Sequence, residues 1–414
     1  MPWTPPTVVT LSNGIRVVCD HVPHVDSCAV SFWVDAGTRD EPKGGDGVAH
    51  VVEHTAFRRT PTRTMSKISR DFENVGAYVN AYTTKEETCY YVRTLTQHLP
   101  RVMTTLADVV LNPVFRDEDV DTERGIIIEE IRSYEDEPEE YVFDLGEQQL
   151  FGTHPLGMPI VGTVASVSSI TADEVRAFHT RHYVPSRIVV AVSGNVTIDT
   201  ITALVEACTS GMKRSTSKRR RTTPVARAPH EVTFRKPLQQ AHLLWQSRTS
   251  GYRHDDRYAL QLMNVILGDG MSSRLNVRLR EKRGLAYSVY SQVQLFADCG
   301  SFSIYAGVDD SHTATVHTSI AAILKEMAAD GVTVSELSRA KAQLRASKLM
   351  ALESLSARMT MLGKGLLEDG HPEDPYATIN ALDAVDRETI ARLASDVCNP
   401  DVWSRCILLP SGEE

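Results

Sequence analysis

Hydrophobic and polar positions change period several times along the chain. Val8, Val9 and Leu11 lead to Asn13-Gly14 and then to Ile15, Val17 and Val18. Asn-Gly accepts the positive φ angles of a tight turn, so this opening predicts a β-hairpin. A strand is predicted at 29–34, stopping at Ala36-Gly37. Helices follow at 47–57 and 65–75, then one strand through 78–92. Helical periodicity dominates 99–111 and 117–134. Asn112-Pro113 separates these two, because proline disfavours helix in the residue before it. A strand at 188–192 stops at Ser193-Gly194. The later part repeats the mixture, with a strand at 242–245, a helix at 256–267, strands at 286–293 and 300–307, then helices.

Strands that do not strictly alternate with helices favour an α+β fold over a doubly wound parallel sheet. Two αβ halves of about equal size predict an internal duplication. We expect a first domain at 1–210, a linker at 211–229 and a second domain at 230–414. The linker is rich in Lys, Arg, Ser, Thr and Pro and holds Lys218-Arg219-Arg220-Arg221, which reads as a solvated run. A length of 414 residues exceeds what one hydrophobic core serves and fits this division.

Composition removes several classes of function. With 42% hydrophobic and 23% charged residues the chain reads as a globular protein. A formal net charge of −9 argues against nucleic acid as a partner. No apolar stretch is long enough for a bilayer, and the opening residues lack a secretory pattern, so no membrane partner and a cytoplasmic location are expected. The seven cysteines are scattered and never form Cys-x-x-Cys, which predicts buried free thiols and no thiolate metal site.

The chemistry concentrates in Gly47-Val48-Ala49-His50-Val51-Val52-Glu53-His54-Thr55-Ala56-Phe57. Residues four apart on a helix share a face, so His50 and His54 can aim two imidazoles at one ion. Glu53 flanks that face within reach of a water on the metal. A catalytic zinc needs a third protein ligand and an open position. The helix from residue 117 offers Glu123 and Glu130, seven apart on one face with Ile127 and Tyr134, while Glu129 is turned away. A carboxylate pointing inward needs a partner, and a metal supplies one.

The order His-x-x-Glu-His is the inverzincin signature, and its surroundings resemble the pitrilysin family, in particular mitochondrial processing peptidase and its bacterial relatives. The resemblance runs through Leu11-Ser12-Asn13-Gly14, Trp33-Val34-Asp35-Ala36-Gly37, Asn80-Ala81-Tyr82-Thr83 and Glu123-Arg124-Gly125 to Glu129-Glu130. It continues at His154-Pro155-Leu156-Gly157, Leu267-Gly268-Asp269-Gly270-Met271-Ser272-Ser273-Arg274-Leu275 and Arg280-Glu281-Lys282-Arg283-Gly284-Leu285-Ala286-Tyr287.

The resemblance implies a zinc endopeptidase with one Zn2+ per chain held by His50, His54 and Glu130. Glu53 is then the base and Glu123 an accessory carboxylate. Asn80 and Ala81 match a segment that binds peptide by strand addition, and Phe57 a residue lining the pocket past the scissile bond. Arg280 and Tyr287 match a pair that reaches the substrate and helps stabilise the reacting carbonyl. Glu140 and Asp144 match an acidic pair that receives an arginine. On the residues alone, Asn80 is equally a strand-end residue and Phe57 a core aromatic. The plainer alternatives make Arg280 half of a surface ion pair and Tyr287 ordinary packing.

Family members of twice this length close a clam shell from two such chains in one, which implies a homodimer here, or a heterodimer with a homologous subunit, around a peptide substrate. The alternative is a non-catalytic structural or peptide-binding subunit of the same fold. Two departures stand out. Val51 replaces an aromatic, and Arg58-Arg59 replaces Lys-Gly, which predicts a more basic cleft rim. The helix at 260–266 carries no His or Glu, so one zinc site is expected. His21, His24, His179 and His182 match no family role and are expected in loops or at the surface.

Overall fold

The computed structural model describes residues 3–215 and 221–411. The chain divides into two compact units. The first comprises Met1–Ile131, Pro159–Arg221 and Leu349–Asp374, the second Arg132–Met158, Thr222–Lys348 and Pro375–Glu414. The units are therefore interleaved in sequence rather than consecutive segments joined at 211–229.

The first unit holds strands β1 (Thr7–Thr10), β2 (Arg16–His21), β3 (Ser27–Val34), β4 (Tyr78–Thr83), β5 (Thr88–Leu95) and β6 (Ile188–Gly194). The second holds β7 (Glu231–Lys236), β8 (Ala241–Thr249), β9 (Ala286–Leu295), β10 (Gly300–Val308) and β11 (Ser404–Pro410). Their orders are β1-β2-β6-β3-β5-β4 and β7-β11-β8-β10-β9. In each sheet one parallel pair, β2 with β6 or β7 with β11, joins a run of antiparallel pairs. Without β1 the two sheets have the same order and sense, the topological mark of the expected internal duplication. The fold is α+β, as expected.

The single strand expected at 78–92 is two strands, β4 and β5, paired antiparallel across a tight turn. The polar run Lys85-Glu86-Glu87 between them is buried and ion-paired: Arg39 meets Glu86 at 2.7 Å and Lys364 meets Glu87 at 3.4 Å. Arg221, expected in a solvated run, is also buried in this network, 2.5 Å from Asp40 and 3.3 Å from Asp35. Lys218, Arg219 and Arg220 lie outside the described residues.

The helices used below are α1 (Val48–Ala56), α2 (Met65–Glu73), α3 (Leu99–Leu111), α4 (Asp117–Asp136) and α5 (Pro138–Phe151). A further four are α6 (Val164–Ser169), α7 (Ala172–His182), α8 (Ile198–Thr209) and α9 (Arg257–Leu267), and the last five are α10 (Thr313–Asp330), α11 (Val334–Ala351), α12 (Leu355–Glu368), α13 (Pro375–Ala384) and α14 (Arg387–Val397).

Both faces of each sheet are covered, so the central strands read as nearly continuous apolar runs. In the first sheet Val30, Phe32, Val190 and Val192 face the core shared with α1 and α3, whereas Ala29, Trp33, Val189 and Ala191 meet α12 through Leu362 and Leu366. In the second sheet Leu243, Trp245 and Ile304 face α9 and α10, and Leu244, Tyr305 and Leu408 meet Val142 of α5. The cover is exchanged: α5 follows the first repeat's helices but lies on the second sheet, and α12 does the reverse. Glycine permits each seat. A Cβ on Gly363 would lie 2.1 Å from Trp33 Nε1, and one on Gly146 2.4 Å from Leu244 Cδ2. All seven cysteines are free thiols, and six are buried. Among the described residues no helix is long and apolar enough to cross a membrane.

Candidate metal centre

Helix α1 is held against the first sheet by Val48, Ala49, Val51, Val52 and Ala56, all in the unit's core. Its N-terminus is clamped by one carboxylate. Gly47 N–H donates to Glu41 Oε2 at 3.0 Å and Ala49 N–H to Oε1 at 2.8 Å. These acceptors satisfy otherwise orphaned amides, while burial pushes the Glu41 carboxyl well up against the two hydrogen bonds. The apolar anchors leave His50, Glu53 and His54 to face α4 and β4.

The structure brings His50 and His54 together with ring centroids 4.4 Å apart. One ligating atom from each, with a carboxylate oxygen of Glu130, all lie within 4.8 Å of one another. It is the one such His/Cys/Asp/Glu group found among the described residues. His54 Nε2 is 3.6 Å from Glu130 Oε2, while its Nδ1 is 3.1 Å from Glu123 Oε2. Glu123 and Glu130 therefore sit on opposite sides of one imidazole, with Glu123 buried and Glu130 partly exposed. Glu129 is exposed, as its helical position predicts, but Tyr134, assigned to the inward face, is also exposed. Period alone misplaced it, because the core contacts of α4 end at Ile131.

Glu53 is buried, and Thr83 Oγ1 donates to its Oε2 at 2.5 Å. Burial pushes the Glu53 carboxyl up, with Thr83 and His54 opposing and Glu130 adding to the shift. His50 is held down at about 3 by burial and then by the neighbouring His54, so it stays neutral, the form that ligates metal. Burial also works against a charged His54, but its hydrogen bond to Glu123 and the carboxylates of Glu53 and Glu130 outweigh this and push it up. Glu123 is pulled down against its burial by His54 and Arg58.

These residues fit zinc. His50 Nδ1 is buried with no hydrogen-bond partner. Two imidazoles converge with Glu130, and three carboxylates gather where one guanidinium, that of Arg58, offsets them. Such a cluster is costly without a cation.

Thr83 was missed as a site residue. Its signal was the strand alternation: Val79 and Ala81 pack on the core, so Thr83 points the same way, toward α1. Asn80 is exposed on β4, which among the described residues pairs with β5 alone and so forms the sheet edge. Asn80 Oδ1 accepts from the Ala81 N–H at 2.8 Å. Phe57 is half-buried, packs on the core and lies 6.0 Å from the Tyr90 ring. The basic rim expected from Arg58-Arg59 is not present as free charge. Arg58 Nε binds Glu123, and Arg59 Nε lies 3.3 Å from Asp119 Oδ2. Nor are His179 and His182 surface residues. Burial depresses both to about 4; His179 bonds the Val110 carbonyl and His182 stays neutral beside Arg187.

The remaining predicted residues belong to the second unit. Arg280 lies in the last turn of a π-helical segment, Asn276–Glu281, and makes no ion pair among the described residues. Tyr287 on β9 is 81% exposed and so does not serve packing. Both line a cavity of about 370 Å³ with Gln240, Asp309 and His312. Glu140 and Asp144 lie on α5, where it is the adjacent Glu139 that accepts a hydrogen bond from Tyr290 at 2.7 Å.

Comparison with known proteins places this architecture. The insulinase (peptidase family M16) model matches residues 16–164, and the model described as the peptidase M16 inactive domain matches 169–344. The chain belongs to peptidase family M16. A protein named as an uncharacterized zinc protease in Mycobacterium tuberculosis is 39% identical over 413 residues, 99% of this chain and 94% of its own length. A Bacillus subtilis protein of the same description is 34% identical over 97% of this chain and 98% of its own length. Among solved structures, a peptidase M16 inactive domain from Pseudomonas fluorescens superposes with TM-score 0.92 at 20% identity, covering 99% of both chains. A Helicobacter pylori protease gives 0.89 at 21% identity, over 98% of this chain and 100% of its own.

Proposed function

We propose that the protein is a zinc-dependent endopeptidase, with His50, His54 and Glu130 as ligands of one zinc and Glu53 as general base. The observation that carries this is the convergence of those three donors beside a buried carboxylate already held in place. Relatives named zinc proteases match over nearly the whole chain, which supports the same reading.

Zinc held by His50, His54 and Glu130 would supply a Lewis acid able to polarise a carbonyl and to bring the pKa of a bound water to about 7. Glu53 accepts the proton of the attacking water and passes it to the leaving nitrogen. Thr83 occupies Oε2, so Oε1 takes the proton, and burial makes this carboxylate a stronger base. Glu123 orients His54 from the side away from Glu130. The open edge of β4, at Asn80 and Ala81, receives the peptide as an added strand. Phe57 lines the pocket beyond the cut. Arg280 and Tyr287 reach the substrate carbonyl, and Glu140 and Asp144 receive a basic side chain. The working form is a homodimer enclosing the peptide.

Glu53→Gln tests the assignment. About one zinc per chain is expected in wild type and variant alike, with cleavage reduced roughly 10²- to 10⁴-fold in the variant. Glu130→Gln is expected to lose zinc instead. Full cleavage by Glu53→Gln would remove the base, and a wild type that binds no zinc would favour the non-catalytic subunit.

A further inference from the structure

The side chain of Arg58 follows His54 by four residues and turns back across the end of α1 to α4. Its Nε pairs with Glu123 Oε1, while Glu123 Oε2 meets His54 Nδ1 at 3.1 Å. Arg58 Nη1 also lies 3.6 Å from Met65 Sδ, so the guanidinium is braced between α2 and α4. Its side chain is 19% exposed and that of Glu123 8%.

We propose that Arg58 is a positioning residue of the metal centre, holding one oxygen of Glu123 so that the other fixes the ring of His54. The inference rests on the zinc reading above. A glutamate carboxylate rotates readily about its last torsion, and among the described residues Arg58 is the one hydrogen-bond partner of Oε1. With Oε1 held, Oε2 accepts from Nδ1–H, and this tautomer leaves Nε2 facing Glu130. An outer residue that fixes a ligating imidazole in this way typically contributes 10- to 100-fold in metal affinity. Arg58 is one step further out, and its effect passes through Glu123.

Arg59 provides the internal control. It makes the same kind of bridge from the same turn to the same helix, but to Asp119, one turn before Glu123 and away from either histidine. If Arg58 only tied α1 to α4, losing Arg59 would disturb the site as much.

The test is the rate of zinc release from the purified full-length protein to a chromogenic chelator, with melting temperature followed in parallel. Arg58→Ala is expected to release zinc about 10-fold faster than wild type. Arg58→Lys, which keeps the charge but not the planar fork, should fall between them. Arg59→Ala should release zinc at the wild-type rate even where it melts earlier. Equal acceleration by Arg58→Ala and Arg59→Ala, or none by Arg58→Ala, overturns the proposal. If Arg58→Ala does not fold, Arg58→Lys carries the comparison, and release no faster than from Arg59→Ala overturns it. A wild type without zinc fails the zinc reading itself, whereas unchanged release from a zinc-loaded Arg58 variant fails only this inference.

Discussion

Helices α1 and α9 occupy the same place in two repeats of one topology, each after the central strand of its sheet, and they are built differently. In α9, Leu260, Leu262, Met263, Val265, Ile266 and Leu267 are buried and apolar. In α1 the apolar anchors are the same kind, yet His50 and Glu53 are buried among them. A buried polar group without a partner costs about 2–7 kcal/mol. In α1 that cost is offset by groups brought from elsewhere: Thr83 for Glu53, Glu123 for His54, and Glu130, whose carboxylate converges with both histidines. The duplicated fold thus needs only the apolar pattern of α9. The polar residues of α1 are tolerable because two other elements, β4 and α4, supply their partners.

The sharpest way to break the comparison is to put a carboxylate into α9. Met263 is fully buried in the second core. Met263→Glu should destabilise the protein by about 3 kcal/mol or more, measured by urea unfolding. A variant as stable as wild type would mean that α9 has polar partners after all, and the contrast with α1 would collapse. A smaller effect is expected from removing a partner on the other side. Thr83→Val keeps the shape and deletes the hydroxyl that holds Glu53. Peptide cleavage should fall about 10-fold, mostly in kcat, the loss expected from one charge-assisted hydrogen bond, with zinc content unchanged. Unchanged kcat would show that Glu53 needs no such support.

The same contrast explains what could be read from the sequence. Helix α1, the pairing of Glu123 with Glu130 on α4 and most strands of the two sheets follow from period and spacing, because apolar anchors repeat where the core is, but β7 and β11 were not read from the sequence. The break between β4 and β5 was hidden by an apolar-polar alternation that continues to the turn, and the turn's charged residues are buried by ion pairs with distant residues. The exchange of α5 and α12 was equally hidden. Both helices are amphipathic, and amphipathicity does not say which sheet a helix covers. Arg58 and Arg59 misled for a related reason: charge at a position predicts exposure only when no opposite charge lies nearby in space, and α4 supplies two.

A last contrast sets two carboxylates against each other, one from each unit. Glu368 on α12 shares Lys364 with Glu87 at 3.5 and 3.4 Å, and burial pushes its carboxyl up to about 7. Glu336 at the start of α11 accepts from Arg274 Nε at 2.7 Å and from the Thr333 amide at 2.8 Å, which against its burial hold it down at about 2. The signs are opposite. Folding takes up a proton at Glu368, so its contribution is full below pH about 4.5 and is lost as pH rises toward 7. Folding releases a proton at Glu336, so its contribution is full above pH about 4.5 and is lost as pH falls toward 2. Relative to wild type, Glu368→Gln should therefore gain stability between pH 4.5 and 7, by about 2 kcal/mol at most. Glu336→Gln should be less stable at neutral pH by a similar amount and converge on wild type in acid. Urea midpoints at pH 3, 5 and 8 decide the matter: parallel pH trends in the two variants would mean that Lys364 holds Glu368 charged as firmly as Arg274 holds Glu336.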